Sequence, residues 1–478
     1  MNRALRRHHM HVRNLVAFSL FLALSPPLWS RVLLEWSNTP LPSASSLGVG
    51  EVVFSWNSRV PASLMTRARS QGYRVYAEVP LAQARAAAEQ GTKSGWAGIV
   101  LNIPKSERAR TQVAVSRLRS AYPKLQFLVL GLVGKQPQMR GSIVIKNDSV
   151  LEVSSPTAQP WIDTNLAAIR VEQRREQAQS PLYTFAWITP KQGQQKIITA
   201  SDLSLAVAEA GAFHADLVLR LNRRLQKSLS QNDAETLGLW RQVRSTLSFY
   251  SGATQEGARP AVNVAVVVDR FDPSDEALNL LARHNIPFQV FLAADLNATS
   301  AEGFNLVIAF SKPDEKAAKQ IAALATGGKT VVLVDSHGTY PWHSNQSTTV
   351  NEHTQSYPVG TGTILEFSES VNDPEAFAQD IRRLMGKSNS LLSLWNGLTT
   401  IAVPYKDDNG LLKSIELVNY ATDPIRVQVQ VKGSFNSIRY ETPEHGCCQA
   451  LPPIKHDSFT EFVIPELHIA GRVHLKRP

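Results

Sequence analysis

Beyond residue 46 short apolar runs alternate with stretches of helical periodicity. Glu51-Val-Val-Phe-Ser-Trp56 precedes a helical segment over 62–70, and Tyr73-Arg-Val-Tyr-Ala-Glu-Val79 precedes an Ala-rich one over 81–90. Ala97-Gly-Ile-Val-Leu-Asn102 leads into a helix over 106–121, and Leu125-Gln-Phe-Leu-Val-Leu130 follows it. Near-continuous apolar strands at this spacing predict a parallel sheet covered on both faces. The rhythm breaks at Ser142–Lys146 and Val150–Ser154, which flank Asn147-Asp148-Ser149 with no room for a helix and predict a hairpin. A helix over 164–177, the strand Leu182–Trp187, a helix over 200–212 and the strand Asp216–Leu221 resume it. Seven or eight strands in about 200 residues predict a (β/α) barrel over 47–252, closed by a helix over 233–250.

A Gly/Ala/Gln stretch over 251–260 ends this region, and a second α/β rhythm runs over 261–396. Its strands are Val262–Asp269, Phe288–Leu292, Leu306–Phe310, Lys329–Asp335 and Gly362–Phe367, with helices over 274–284, 315–325 and 374–385. These predict a doubly wound sheet. From 397 to 478 the pattern changes to period two, as in Ile425-Arg-Val-Gln-Val-Gln-Val-Lys432, and predicts a small antiparallel β-sandwich.

The first 46 residues follow neither rhythm. Arg3, Arg6, Arg7 and Arg13 precede the apolar run Leu15–Leu24 and then Ser25-Pro26-Pro27, the layout of a signal peptide or of a retained N-terminal anchor, followed by a Pro/Ser-rich linker. The expectation is an extracytoplasmic protein, either periplasmic, secreted or held by that segment, with no other contact with a membrane. The net charge of +10 falls to +6 without those four arginines and forms no long basic run, which argues against a nucleic-acid partner. A charged fraction of 19% and an apolar fraction of 43% describe packed domains. Cys447 and Cys448 are adjacent, with only His445 close by in sequence, and are read as two small loop residues; neither a metal nor a cofactor is expected.

Gly327-Gly-Lys-Thr-Val-Val-Leu-Val334, Tyr357-Pro-Val-Gly-Thr-Gly-Thr-Ile-Leu365, and Ile415-Glu-Leu-Val-Asn-Tyr420 with Pro424–Val431 carry a resemblance. In this order the modules resemble glycoside hydrolases of the β-galactosidase type, which join a catalytic barrel, a glutamine-amidotransferase-like domain and a C-terminal β-sandwich. The resemblance implies carbohydrate as partner and assembly of like chains through the middle domain. It also implies an Asn-Glu pair at the fourth barrel strand and a further Glu at the seventh. Here the fourth strand runs into Gly131-Leu-Val-Gly-Lys135 and the late strand ends in Arg220, so that pair does not carry over. Nor does amidotransferase chemistry, because the middle domain has no Cys and Asp335-Ser336-His337-Gly338 lacks a nucleophile elbow. His337, His343 and His353 there are read as exposed loop histidines.

Glycoside hydrolysis ordinarily uses two carboxyl groups, which in a barrel sit at the C-terminal strand ends. Those ends offer Glu78 and Glu152 as the acid/base pair, with Asp163 as substitute. Trp161 and Trp187 are candidates for stacking on a sugar, and Asn57, Asn102 and Arg220 for hydrogen bonding to its hydroxyls. Each has a structural alternative. Glu78 can pair with Arg220, Glu152 can face solvent on its hairpin, Asp163 can cap the helix that follows, and Trp187 can fill the core. A glycan-binding or scaffolding protein without catalysis is the other reading of the same modules.

Overall fold

The computed structural model describes residues 30–478 apart from 38–39, 57–61, 105–106, 141, 146–150, 155–160, 176–178, 189–196, 252–257, 269–274, 298–300, 311, 369–370, 372–373, 387–388 and 422. The Arg-rich start and its apolar run lie outside the described residues. Among the described residues no helix is long and apolar enough to cross a membrane.

Seven parallel strands close into a barrel and follow one another around it in chain order: Val32–Glu35, Glu51–Ser55, Arg74–Pro80, Gly98–Asn102, Gln126–Gly134, Leu182–Phe185 and Asp216–Arg220. The seventh pairs with the first, Leu34 beside Leu219 and Glu35 beside Arg220. Two expectations change here. The barrel begins at Val32, inside the N-terminal segment read as signal peptide or anchor with linker, and the expected hairpin, Ser142–Ile145 with Leu151–Ser154, forms a two-stranded sheet of its own and supplies no barrel strand. Four-residue apolar runs look alike in sequence, and it is the parallel ladders that decide which of them join the barrel.

The barrel floor is polar and tied. Arg31 donates from Nε and Nη2 to Asp216 Oδ2 at 2.9 and 2.6 Å, Arg74 pairs with Glu51 at 2.8 Å, and Tyr76 donates to Gln126 at 2.9 Å. Above it Leu33, Val53, Tyr76, Val100, Leu128 and Val218 fill the interior. A close approach marks the fourth strand: a Cβ on Gly98 would stand 2.3 Å from Gln126 O, so no larger residue fits.

The middle domain holds five parallel strands in the order Phe288–Phe291, Val264–Val267, Leu306–Ala309, Thr330–Val334 and Gly362–Phe367, extended by antiparallel Thr354–Val359 and Thr348–Asn351. Helix Glu315–Thr326 covers one face; helices Asp275–Arg283 and Pro374–Met385 cover the other, and Asp275–Arg283 packs against barrel helix Leu166–Arg175. This is the doubly wound, flavodoxin-like arrangement.

Sheets of six and four strands form the terminal sandwich. Along Ile425–Lys432 the valines 427, 429 and 431 point inward, as period two requires. Strands Arg259–Pro260 and Leu392–Trp395, both ahead of residue 397, complete the two sheets.

Helix Ala200–Phe213 explains how barrel and sandwich hold together. It is buried along almost its whole length, as expected of a helix that is apolar on all sides. Its Glu209 accepts hydrogen bonds from Tyr420 Oη of the sandwich at 2.5 Å, Thr164 Oγ1 at 2.7 Å, Asn165 N at 3.0 Å and Asn165 Nδ2 at 2.8 Å. Burial pushes the Glu209 carboxyl up, and these donors oppose the shift. On the next loop His214 stacks on Tyr405 of the sandwich with ring centres 4.1 Å apart, and burial holds its imidazole down at about 3.

Candidate functional site at the barrel mouth

Parallel strands deliver their C-terminal ends to one face, so residues far apart in sequence meet there. Glu35, Ser55, Asn102 and Arg220 end the first, second, fourth and seventh strands, and Glu78 lies two residues before the end of the third. Arg220 Nη2 donates to Glu78 Oε1 at 2.8 Å, and its Nε faces Glu35 Oε2 at 3.3 Å. Asn102 Nδ2 donates to the same Glu78 oxygen at 3.1 Å. The other oxygen, Glu78 Oε2, is buried and takes no hydrogen bond. These contacts and the span of one guanidinium keep the facing oxygens of Glu35 and Glu78 no more than about 8.5 Å apart, under the roughly 9.5 Å limit for glycosidase carboxyl pairs.

The Glu35 carboxyl lies above the usual carboxylate range, because burial raises it, Arg220 opposes the shift and Glu78 adds to it. Beside Glu78 opens a cleft of about 550 Å³, bordered by Ser55, Trp56, Asn102, Ile103 and Glu107. Trp56 anchors that border: its backbone N–H donates to Glu78 O at 2.9 Å, and its ring meets Trp96 edge-on at 6.3 Å. At the seventh strand Trp187 Nε1 donates to Arg220 O at 2.8 Å, and its ring meets Phe185 at 4.7 Å. Gln136 joins two mouth loops, donating to Asp202 at 3.0 Å and accepting from Ile188 N at 3.1 Å.

Of the residues expected from sequence, Glu78, Asn102, Arg220 and Trp187 therefore come together. The others do not. Glu152 sits opposite Val144 on a hairpin that pairs with no barrel strand, and its side chain lies outside the described residues, as does all of Asn57. Asp163 is buried in the ribbon of Gln138–Arg140 with Trp161–Asp163, where it accepts from Arg140 Nε at 2.7 Å and Gln138 Nε2 at 2.8 Å. Trp161 faces the middle domain, with the Arg283 guanidinium 4.1 Å above its ring, a position that removes it from stacking on a sugar in the mouth.

Glu35 and Trp56 were missed. Glu35 belongs to a strand inside the N-terminal segment read as signal peptide or anchor with linker, whereas Trp56 carries a usable signal, since it directly follows a barrel strand. In the middle domain the three histidines meet three different carboxylates, His337 with Asp335 at 3.0 Å, His343 with Glu366 at 3.0 Å and His353 with Glu352 at 4.0 Å.

No family model matches the chain, and no curated protein matches it in sequence. Solved structures do resemble it. The α-L-fucosidase isoenzyme 2 from Paenibacillus thiaminolyticus superimposes with a TM-score of 0.60 at 11% identity, over 94% of this chain and 100% of that one. The β-galactosidase from Rahnella sp. R3 gives 0.54 at 11% identity, over 89% and 95%, and that from Bacillus circulans sp. alkalophilus 0.53 at 10%, over 94% and 99%. The fold of this chain, barrel, doubly wound domain and sandwich in that order, is that of multi-domain glycoside hydrolases.

Proposed function

We propose that this chain is an exported glycoside-hydrolase-like protein that binds a carbohydrate of the envelope or environment at the barrel mouth and cleaves a glycosidic bond there. The observation that carries the reading is the pair of carboxyl groups, Glu35 and Glu78, set on either side of Arg220, with Glu78 lining a cleft that Trp56 also borders. Export is supported by the arginines before Leu15–Leu24.

In this mechanism Glu35, whose raised carboxyl keeps its proton to higher pH, protonates the departing glycosidic oxygen as the bond to the anomeric carbon breaks. The Glu78 carboxylate, which borders the cleft, takes a proton from a water that attacks the anomeric carbon, and the oxygen of that water becomes the new hydroxyl. Asn102 and Arg220 orient Glu78, and the Trp56 indole offers an apolar face to the sugar. The middle domain is assigned no chemistry.

One observation favours the second reading, glycan binding without turnover. Arg220 stands between the two carboxyl groups, and an ion network of this kind also serves structure alone. Incubating the purified chain with a panel of aryl glycosides and polysaccharides, alongside Glu35→Gln and Glu78→Gln, separates the readings. Turnover by the wild type that both substitutions lower supports hydrolysis, turnover unchanged in both removes this site assignment, and binding without turnover selects the second reading.

A further inference from the structure

The far edge of the sandwich brings His445 to Glu466 and His468, which are two positions apart in the sequence and far from it. His445 lies in the turn between strands Ser437–Thr442 and Gly446–Leu451; Glu466 is near the end of strand Phe459–Leu467, and His468 is in the turn from it to Ala470–Lys476. One donor atom from each lies within 4.8 Å of the other two. We propose that His445, Glu466 and His468 form a binding site for a divalent transition-metal ion of the zinc class.

The donor set suits such an ion. Two imidazoles and one carboxylate are ordinary zinc ligands, and three of them leave a fourth tetrahedral position to water. Ligands about 2.1 Å from a tetrahedral ion stand roughly 3.4 Å from one another. The side chains need therefore close by little more than about an ångström, within the reach of rotamer adjustment.

The backbones beneath the ligands are fixed, so the cluster does not depend on chance meetings of long side chains. His445 N donates to Thr442 Oγ1 at 3.1 Å, and Gly446 takes the left-handed conformation that a three-residue hairpin turn needs, with φ +66°. Tyr440 Oη donates to Glu466 O at 3.0 Å and thus ties the second turn to the first hairpin. A Cβ on Gly471 would stand 2.7 Å from the Tyr440 ring, so the chain after His468 is held close over that ring. His468 Nε2 already meets Glu466 Oε1 at 3.1 Å, an arrangement in which an ion replaces the shared proton. A bound ion would join the two turns, one from each pair of adjoining strands, and act as a clip at the edge of the sandwich.

The test is zinc titration of the chelator-treated, untagged full chain, followed by calorimetry and by the melting temperature with and without zinc. His8, His9 and His11 offer a second place for metal, so the readout is the difference between the wild type and the His445→Ala/His468→Ala variant. The double variant is expected to bind one equivalent fewer and to lose the zinc-dependent rise in melting temperature, and each single variant to bind at least about 100-fold more weakly at this site, beyond the 10- to 100-fold typical of losing an outer-shell partner. Both substitutions are in turns, and equal melting temperatures of wild type and variants without metal establish that the fold is intact. Equal stoichiometry and equal zinc-dependent stabilisation in wild type and double variant overturn the proposal.

Discussion

Glu78 and Glu209 are both buried glutamates on the barrel, yet they are built into opposite situations. Glu209 has four donors on its two oxygens and sits where barrel and sandwich meet. Glu78 has both its side-chain donors on one oxygen, leaves the other without a hydrogen bond, and borders the cleft. A buried polar atom without a partner costs about 1–3 kcal/mol, so its retention calls for a reason. The contrast is between a carboxyl group saturated by donors at a joint and one with an unpartnered oxygen on a residue that lines a cleft.

Substitution tests the contrast most strongly at Glu78. Glu78→Gln is expected to lower kcat/KM for a cleaved glycoside by at least about 1,000-fold while shifting the melting temperature little, since Glu35 remains as partner for Arg220. Glu209→Ala is expected to do the reverse. It strands Tyr420, Thr164 and Asn165 and costs about 3 kcal/mol in denaturant unfolding, with kcat/KM of the folded fraction unchanged. Equal effects of the two on stability and on activity would erase the distinction.

Smaller effects sharpen it. Trp56→Ala is expected to weaken saccharide binding about 10-fold, read by calorimetry, through loss of the indole face. In the pH profile of kcat/KM, the alkaline limb set by Glu35 is expected above the ordinary carboxylate range, because an acid whose carboxyl is raised stays protonated to higher pH. The joint has its own pH signature. The His214 imidazole is held at about 3 in the folded chain and rises to the ordinary range on unfolding, so its contribution is present above about pH 6.5 and is lost as pH falls toward 3. His214→Phe, which keeps a ring on Tyr405 without titrating, is expected to flatten that part of the stability curve measured by urea unfolding.

Much of the fold was legible because strand spacing and the change from helical to two-residue period survive in the sequence. What escaped was set by pairing. Val32–Glu35 is four residues long, and only its ladders with Glu51–Ser55 and Asp216–Arg220 mark it as barrel. With it went Glu35. The site was half legible for the same reason: Glu78, Asn102 and Arg220 follow from the rule that strand ends converge, whereas Asp163 was misjudged because its partners Gln138 and Arg140 lie on a separate ribbon strand. The cluster of His445, Glu466 and His468 depends on two turns meeting, and residue spacing shows only its Glu466-Leu467-His468 part.

The most direct test of the Glu35/Glu78 assignment is single-turnover hydrolysis of an aryl glycoside that carries a strongly activated leaving group. Wild type and Glu35→Gln should both cleave it, because such a leaving group needs no proton, whereas Glu78→Gln should not; with an unactivated leaving group Glu35→Gln should fail as well. Cleavage by Glu78→Gln at the wild-type rate would contradict the account.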